Sequence, residues 1–142
     1  MVRSRFSHRS VRRFSSESFQ DIMTLLFITQ KLHDQDDFTI RWIRAFARRG
    51  YAIEVVCLEK RIGALEFPVS SMGKEHGYSR PRQIWNFWRH ITRLRYDRVF
   101  IHMAPIYGAL GAWYWPIRGI PVYLWYTHWP MNLPLWITTK FA

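Results

Sequence analysis

Two of the six histidines stand where short apolar runs give way to polar residues. The run Arg98–Met103 closes on His102 and Met103, with Tyr107 soon after, and Ile120–Tyr126 leads directly into Thr127, His128 and Asn132. Imidazole, hydroxyl and carboxamide groups donate and accept hydrogen bonds, so a cluster of them can orient a polar ligand. An imidazole can in addition exchange a proton near neutral pH. Such work requires the two histidines to meet. They meet if the two runs are neighbouring parallel strands, because ligands of open α/β sheets bind outside the carboxyl ends of the strands.

The make-up of both runs supports that arrangement. Each is apolar almost throughout, as in strands covered on both faces. The residues between them are too many for a hairpin and enough for a helical crossover. Val99–Ile117 is also a stretch of 19 residues without Asp, Glu, Lys or Arg, about the length of a bilayer span. His102, Pro105, Gly108, Gly111 and Pro116 interrupt it, and Arg98 and Arg118 flank it, so a crossover is expected there rather than a spanning helix.

Upstream the same alternation recurs. Met23–Thr29 reads as a first buried strand and Gln30–Asp37 as the loop at its carboxyl end, with Asp36 or Asp37 placed to cap a helix over Phe38–Arg49. That helix directs Trp42, Ile43, Phe46 and Ala47 toward the sheet and Arg41, Arg44 and Arg48 away from it, and Gly50 stops it. Ala52–Leu58 is a second strand, and Leu65–Ser71, which contains Pro68, a short third strand near an edge. Gly73–Ser79 is a loop without dinucleotide or P-loop spacing. Pro81 opens a helix whose apolar stripe, from Ile84 through Phe87 and Ile91 to Leu94, runs down to Tyr96, while Arg82, Arg89, Arg93 and Arg95 form a second basic surface.

The fold class expected is therefore α/β, a Rossmann-like, mostly parallel sheet with helices on both faces, over residues 23–142. Residues 1–22 carry five Arg against Glu17 and Asp21 and show no sustained period, so a disordered basic extension is expected there. With 142 residues and 49% hydrophobic content, the chain is long enough for one domain with a real core. Its net charge of +11 calls for an anionic partner, and its eight Trp suit a core, a sugar-stacking surface or a membrane interface. A single cysteine, Cys57, excludes an internal disulfide or a thiolate cluster. The acidic group Asp34, Asp36 and Asp37 beside His33 is explained by solvation and helix capping, so no metal is expected. The basic stretch Arg80–Arg98 would be the patch of a nucleic-acid-binding module, but it shares its helix with a core stripe and no reader motif accompanies it. Nucleic acid is therefore not the expected partner. A membrane scaffold that uses the Trp-rich end without chemistry is the other alternative.

Several of these runs resemble the N-terminal half of retaining, family-4-type bacterial glycosyltransferases of the GT-B fold. They are LLFITQKLHDQDD (25–37), RWIRAFARRGYAIEVVCLEK (41–60), MGKEHGYSR (72–80), YDRVFIHMAPIYGALGAWYW (96–115) and VYLWYTHWPMNL (122–133), of which YDRVFIHM and LWYTH are the most specific. The resemblance implies the acceptor-side domain of such an enzyme. It implies no bound cofactor, a nucleotide-sugar as co-substrate and a glycan or lipid-linked acceptor. It places His128 beside the transferred sugar as the catalytic residue, hydrogen-bonded to a sugar hydroxyl. His102, Tyr107, Thr127, Asn132, Gln30 and Asp37 become acceptor- or sugar-binding residues, and Arg41, Arg44, Arg48, Arg89 and Arg93 meet an anionic membrane surface. The location implied is cytoplasmic, on the inner face of the cytoplasmic membrane. The sequence departs from the family in three respects. Pro116 breaks the crossover, the first loop lacks a glycine pair, and no Glu has another eight positions later, so the paired glutamates of the donor lobe have no counterpart. The likeness fades after Leu135, and the expectation is an incomplete domain that lacks its donor lobe and is inactive alone.

Overall fold

The computed structural model describes residues 22–35 and 37–127. The expectations for the N-terminal extension up to residue 21, for Asp36 as a cap and for His128 and Asn132 lie outside these residues.

Five strands run in one sheet: β1 (Thr24–Leu32), β2 (Ala52–Lys60), β3 (Val69–Ser71), β4 (Arg98–His102) and β5 (Val122–Trp125). Their order is β3-β2-β1-β4-β5 and every pairing is parallel. Helix α1 (Phe38–Arg48) lies on one face, and α2 (Arg80–Arg93), α3 (Pro105–Gly111) and α4 (Tyr114–Ile117) on the other. This is the α/β, Rossmann-like sheet that the alternation of strands and helices calls for.

The two faces separate by residue parity along the strands. Leu26, Ile28, Val56, Val99 and Ile101 join Phe87, Ile91 and Trp115 in the α2 layer. Leu25, Phe27, Ile53, Val55 and Cys57 join Ile40 and Ile43 in the α1 layer, where Trp42 and Phe46 pack more loosely. Helix α1 begins at Asp37, whose Oδ1 accepts a hydrogen bond from Thr39 N at 3.2 Å, and ends ahead of Gly50 at φ 90°. Ala47 is exposed rather than core-facing, and the buried positions of α1 are Thr39, Ile40 and Ile43 in its first half.

Several boundaries differ from expectation: β2 runs on to Lys60, β5 narrows to Val122–Trp125, and three others differ for a local reason. β1 continues to Leu32 because Lys31 and Leu32 stay in register with Glu59 and Lys60 and Leu32 is fully buried. β3 is only three residues long. Leu65 and Phe67 leave the sheet to fill the α1 layer, so this connection takes the place of a helix. α2 stops at Arg93, where Leu94 turns extended and the Tyr96 hydroxyl donates to Ile91 O at 2.8 Å. The same hydroxyl accepts from Trp115 Nε1 at 3.0 Å, which fastens α4 to the end of α2. The crossover after β4 is split into α3 and α4, and no described helix is long and apolar enough to cross a membrane.

Trp115 is fully buried with its ring against Gly111, and a Cβ at Gly111 would overlap that ring. Gly111→Ala is expected to lower stability by about 1–3 kcal/mol through forced repacking, read as a drop in the urea midpoint. Gly63→Ala, where a Cβ meets nothing within 4 Å, is the control expected to leave it unchanged. An equal response of the two variants would refute the packing role given to Trp115.

Candidate functional site at the sheet's switch point

From β1 the chain builds outward through β2 and β3, then returns to β4 on the opposite side of β1. The carboxyl ends of β1 and β4 are therefore where the winding reverses, and the crevice outside such ends is where open α/β sheets bind ligands. In register, Thr29 of β1 lies beside His102 of β4, and His102 beside Trp125 of β5. The strand-end residues come together as the sequence suggests.

His102 is the centre of the site. Its side chain is 5% exposed and lies on the α1 side of the sheet. Its ring stacks on Trp125 with centroids 4.9 Å apart and planes 6° from parallel, and Phe27, Phe38 and Trp42 complete the wall. Nδ1 is 3.4 Å from Thr29 Oγ1, whereas Nε2 has no hydrogen-bond partner among the described residues. A buried polar atom left unmatched costs about 1–3 kcal/mol, so this nitrogen is an unsatisfied recognition point in an otherwise apolar setting. Burial holds the His102 pKa below the usual histidine range, and the Asp37 carboxylate only partly opposes this. At neutral pH the group is therefore a neutral imidazole that can share a hydrogen bond rather than a cation.

The other side of the same edge is tied together through Met103. Its φ of 55° makes it the one non-glycine residue with positive φ among the described residues. Its N–H donates to Trp125 O at 2.9 Å, its carbonyl accepts from Gln30 Nε2 at 2.7 Å, and its sulfur accepts from Thr127 Oγ1 at 3.4 Å. Gln30, Met103 and Thr127 thus link the exits of β1, β4 and β5 into one rim.

Not every expected site residue arrives there. Pro105 starts α3 at once and carries Tyr107 to the α2 layer, where it packs 5.2 Å from Phe87 at 6% exposure. Burial pushes its hydroxyl up to about 12, and it is a core residue on the far side of the sheet from His102. Asp37 is placed beside the site but serves α1 as its cap. Arg44 is engaged by Glu66 at 2.6 Å and donates to Gln35 O at 3.1 Å. Arg41 and Arg48 are exposed on α1, while Arg89 and Arg93 are exposed on α2, so the basic residues divide between opposite layers and no single flat bilayer meets both sets.

One buried polar group lies outside the residues that the sequence pattern singles out. Glu59 is 3% exposed at the end of β2 and is held by Arg61 at 2.6 Å and Lys74 at 3.5 Å. Burial alone would raise its pKa, but the two cations outweigh burial and leave it below the usual range. Its parity with Val55 and Cys57 was the available signal. Cys57 itself is buried, with its thiol pushed up to about 12 chiefly by burial, so it is no nucleophile. Among the described residues no three His, Cys, Asp or Glu side chains converge as metal ligands.

Fold and site together define a doubly wound parallel α/β domain that presents a neutral, ring-walled imidazole at its switch point. Set against protein-family models, curated proteins and solved structures, the chain matches none of them.

The pKa directions set the sign of a pH response. His102 and His90 both titrate below 6.5 in the fold, so the unfolded chain takes up protons first as pH drops. Stability is fully present above 6.5 and declines below it. The melting temperature is expected to fall between pH 7 and pH 5, and His102→Phe should remove part of that fall. At pH 7 the variant keeps the ring stack and loses the unmatched nitrogen together with the long 3.4 Å contact to Thr29 Oγ1, so the gain and the loss offset and its stability should change by no more than about 1–2 kcal/mol. A loss of several kcal/mol on chemical denaturation would show that His102 has a structural polar role.

Proposed function

We propose that this chain is the acceptor-side half of a retaining glycosyltransferase of the GT-B, family-4 type, working on a nucleotide-sugar donor and a glycan or lipid-linked acceptor. The observation that carries this reading is the unmatched Nε2 of His102 at the β1/β4 switch point, walled by aromatic rings. Rings that stack and neutral groups that share hydrogen bonds are what a sugar, with an apolar face and a hydroxylated edge, requires. Retaining transfer also requires groups that stabilise an oxocarbenium-like centre and a departing phosphate. In this reading His128 and His102 orient the sugar, and Gln30 and Thr127 belong to the rim beside them. The donor contacts, including the paired glutamates absent from these 142 residues, come from a complementary lobe.

The test joins residues 23–135 to the donor lobe of a retaining GT-B enzyme. The chimera should transfer sugar, while the 142-residue chain alone should transfer none. His128→Ala should lower chimera turnover by about a hundredfold with its melting temperature kept, as for a lost transition-state contact. A folded chimera without transfer, or one whose activity survives His128→Ala while its melting temperature drops, would rule the assignment out.

The same reading places the protein at an anionic membrane, and the exposed side chains favour the α2 layer for that contact. Trp85, Trp113 and Ile117 are 69%, 60% and 77% exposed there, on the same layer as Arg89 and Arg93. Interfacial Trp and basic residues together suit a headgroup region, each cation contributing about 1 kcal/mol and screened over about 8 Å. Vesicles of anionic lipid should retain the protein and salt should release it. Trp85→Ala with Trp113→Ala should weaken binding, whereas Arg41→Gln with Arg48→Gln should not. Equal retention by neutral and anionic vesicles would contradict the electrostatic part.

A further inference from the structure

A second concave region lies away from the switch point. Along α2, the side chains of Gln83, Asn86 and His90 reach across to the segment 71–78. Gln83 Nε2 donates to Tyr78 O, Asn86 Nδ2 donates to Met72 O at 3.1 Å, and His90 Nε2 lies 3.3 Å from Ser71 O. These three contacts hold the segment beside the helix and leave a cleft of about 530 Å3 between them.

Arg82, Arg89 and Arg93 line that cleft. Among the described residues no carboxylate pairs with any of the three, because the nearby acids are already engaged. Glu59 holds Arg61 and Lys74, and Glu75 accepts from Ser71 Oγ at 2.8 Å and lies 3.6 Å from His76. The Arg82 guanidinium sits 3.7 Å from the centroid of the Tyr78 ring, a cation–π contact that restrains it. Burial, with the Arg89 and Arg93 charges acting in the same direction, keeps His90 below the usual range, against the hydrogen bond at Ser71 that favours its charged form. Three cations on one side of a helix with no acid among them are a standing repulsion that a bound anion removes. At a rise of about 1.5 Å per residue, Arg89 and Arg93 are about 6 Å apart along the axis and Arg82 about 10 Å further on. That spacing suits a compact polyanion at one end and a second polar group at the other.

We propose that the cleft between α2 and the segment 71–78 binds a phosphoryl or pyrophosphoryl group, with Arg89 and Arg93 on its oxygens and Arg82, stacked on Tyr78, at the far end of the ligand. The inference uses none of the residues placed at the switch point, while Arg89 and Arg93 also belong to the basic face that the membrane reading invokes. The phosphate can belong to a soluble compound or to a lipid headgroup, and the cleft recognises the chemistry that both share.

Calorimetry on the full 142-residue chain with inorganic pyrophosphate and with ADP gives the soluble arm. Flotation with phosphatidic acid vesicles, against phosphatidylserine vesicles of matched charge, gives the lipid arm. At least one arm should bind, the lipid arm counting only where phosphatidic acid is preferred. Arg89→Gln with Arg93→Gln should weaken that binding about tenfold or more, and Arg82→Gln several-fold. All three arginines are exposed and form no ion pair among the described residues, so the melting temperatures of these variants should match the parent's, and Arg41→Gln with Arg48→Gln on the opposite layer should bind like the parent. The proposal is overturned if both arms fail, or if the α2 substitutions leave binding intact. It is equally overturned if a single-stranded oligonucleotide binds more tightly than pyrophosphate and loses its affinity with the same substitutions, which would make the cleft part of a nucleic-acid surface.

Discussion

β1 is hydrogen-bonded to β2 along one edge and to β4 along the other, and its Leu26, Phe27 and Ile28 have no exposed surface at all. Burying each such side chain contributes about 1.5–3 kcal/mol, so no polar residue can sit in the middle of this strand without a large loss. Polar chemistry is thereby pushed to its carboxyl end, where Thr29 and Gln30 reach the rim. The neighbours obey the same constraint. After Arg98, β4 is apolar until His102, and β2 is largely apolar until Glu59 and Lys60. The polar edge of the molecule is a consequence of how fully its centre is covered.

The two layers over the sheet are built differently. On the α1 side the core is a continuous set of rings, with Phe27, Phe46, Phe100 and Trp42 in mutual contact and His102 and Trp125 at its outer end. A neutral imidazole fits there because it stacks like a ring and still keeps a nitrogen for hydrogen bonding. On the α2 side the packing is closed by a polar knot instead: the Tyr96 hydroxyl joins Ile91 O to the Trp115 indole. That knot lets the short helices α3 and α4 complete the cover beside α2 without a long helix between β4 and β5.

Much of this was legible in the chain. The apolar runs gave all five strands, and Asp37 and Gly50 marked the ends of α1 as capping and stop residues should. The convergence of Gln30, His102 and Thr127 followed from parallel topology alone. The misreadings share a cause, which is that they depended on contacts distant in sequence. Tyr107 looked like a rim residue until α3 turned it onto Phe87. Arg44 looked like a cation for a membrane surface, and the segment after β2 brings Glu66 to it. Leu65 and Phe67 carried strand-like character, but the α1 layer needed them more than the sheet edge did. The unmatched Nε2 of His102 could not be read from sequence at all, since it is defined by what the neighbouring strands fail to provide.

The strand order also bears on how the domain assembles. β1 meets β2 through pairs such as Thr24 and Ala52, and β4 meets β5 through pairs such as Val99 and Val122, so both contacts close short stretches of chain. β1 and β4 pair residues 73 positions apart, as between Thr29 and His102. Closing that longer loop costs about 0.8 kcal/mol more in chain entropy than closing β1 onto β2. It also rests on the largest sequence separation in the sheet, the kind of pairing that slows folding. The two halves of the sheet can each gather locally, and their joining is the step expected to come late. Thr29 and Gln30 lie on one side of that seam, and His102 and Met103 on the other. The site is therefore expected to form only when the two halves of the sheet come into register, because its residues lie on both sides of that seam.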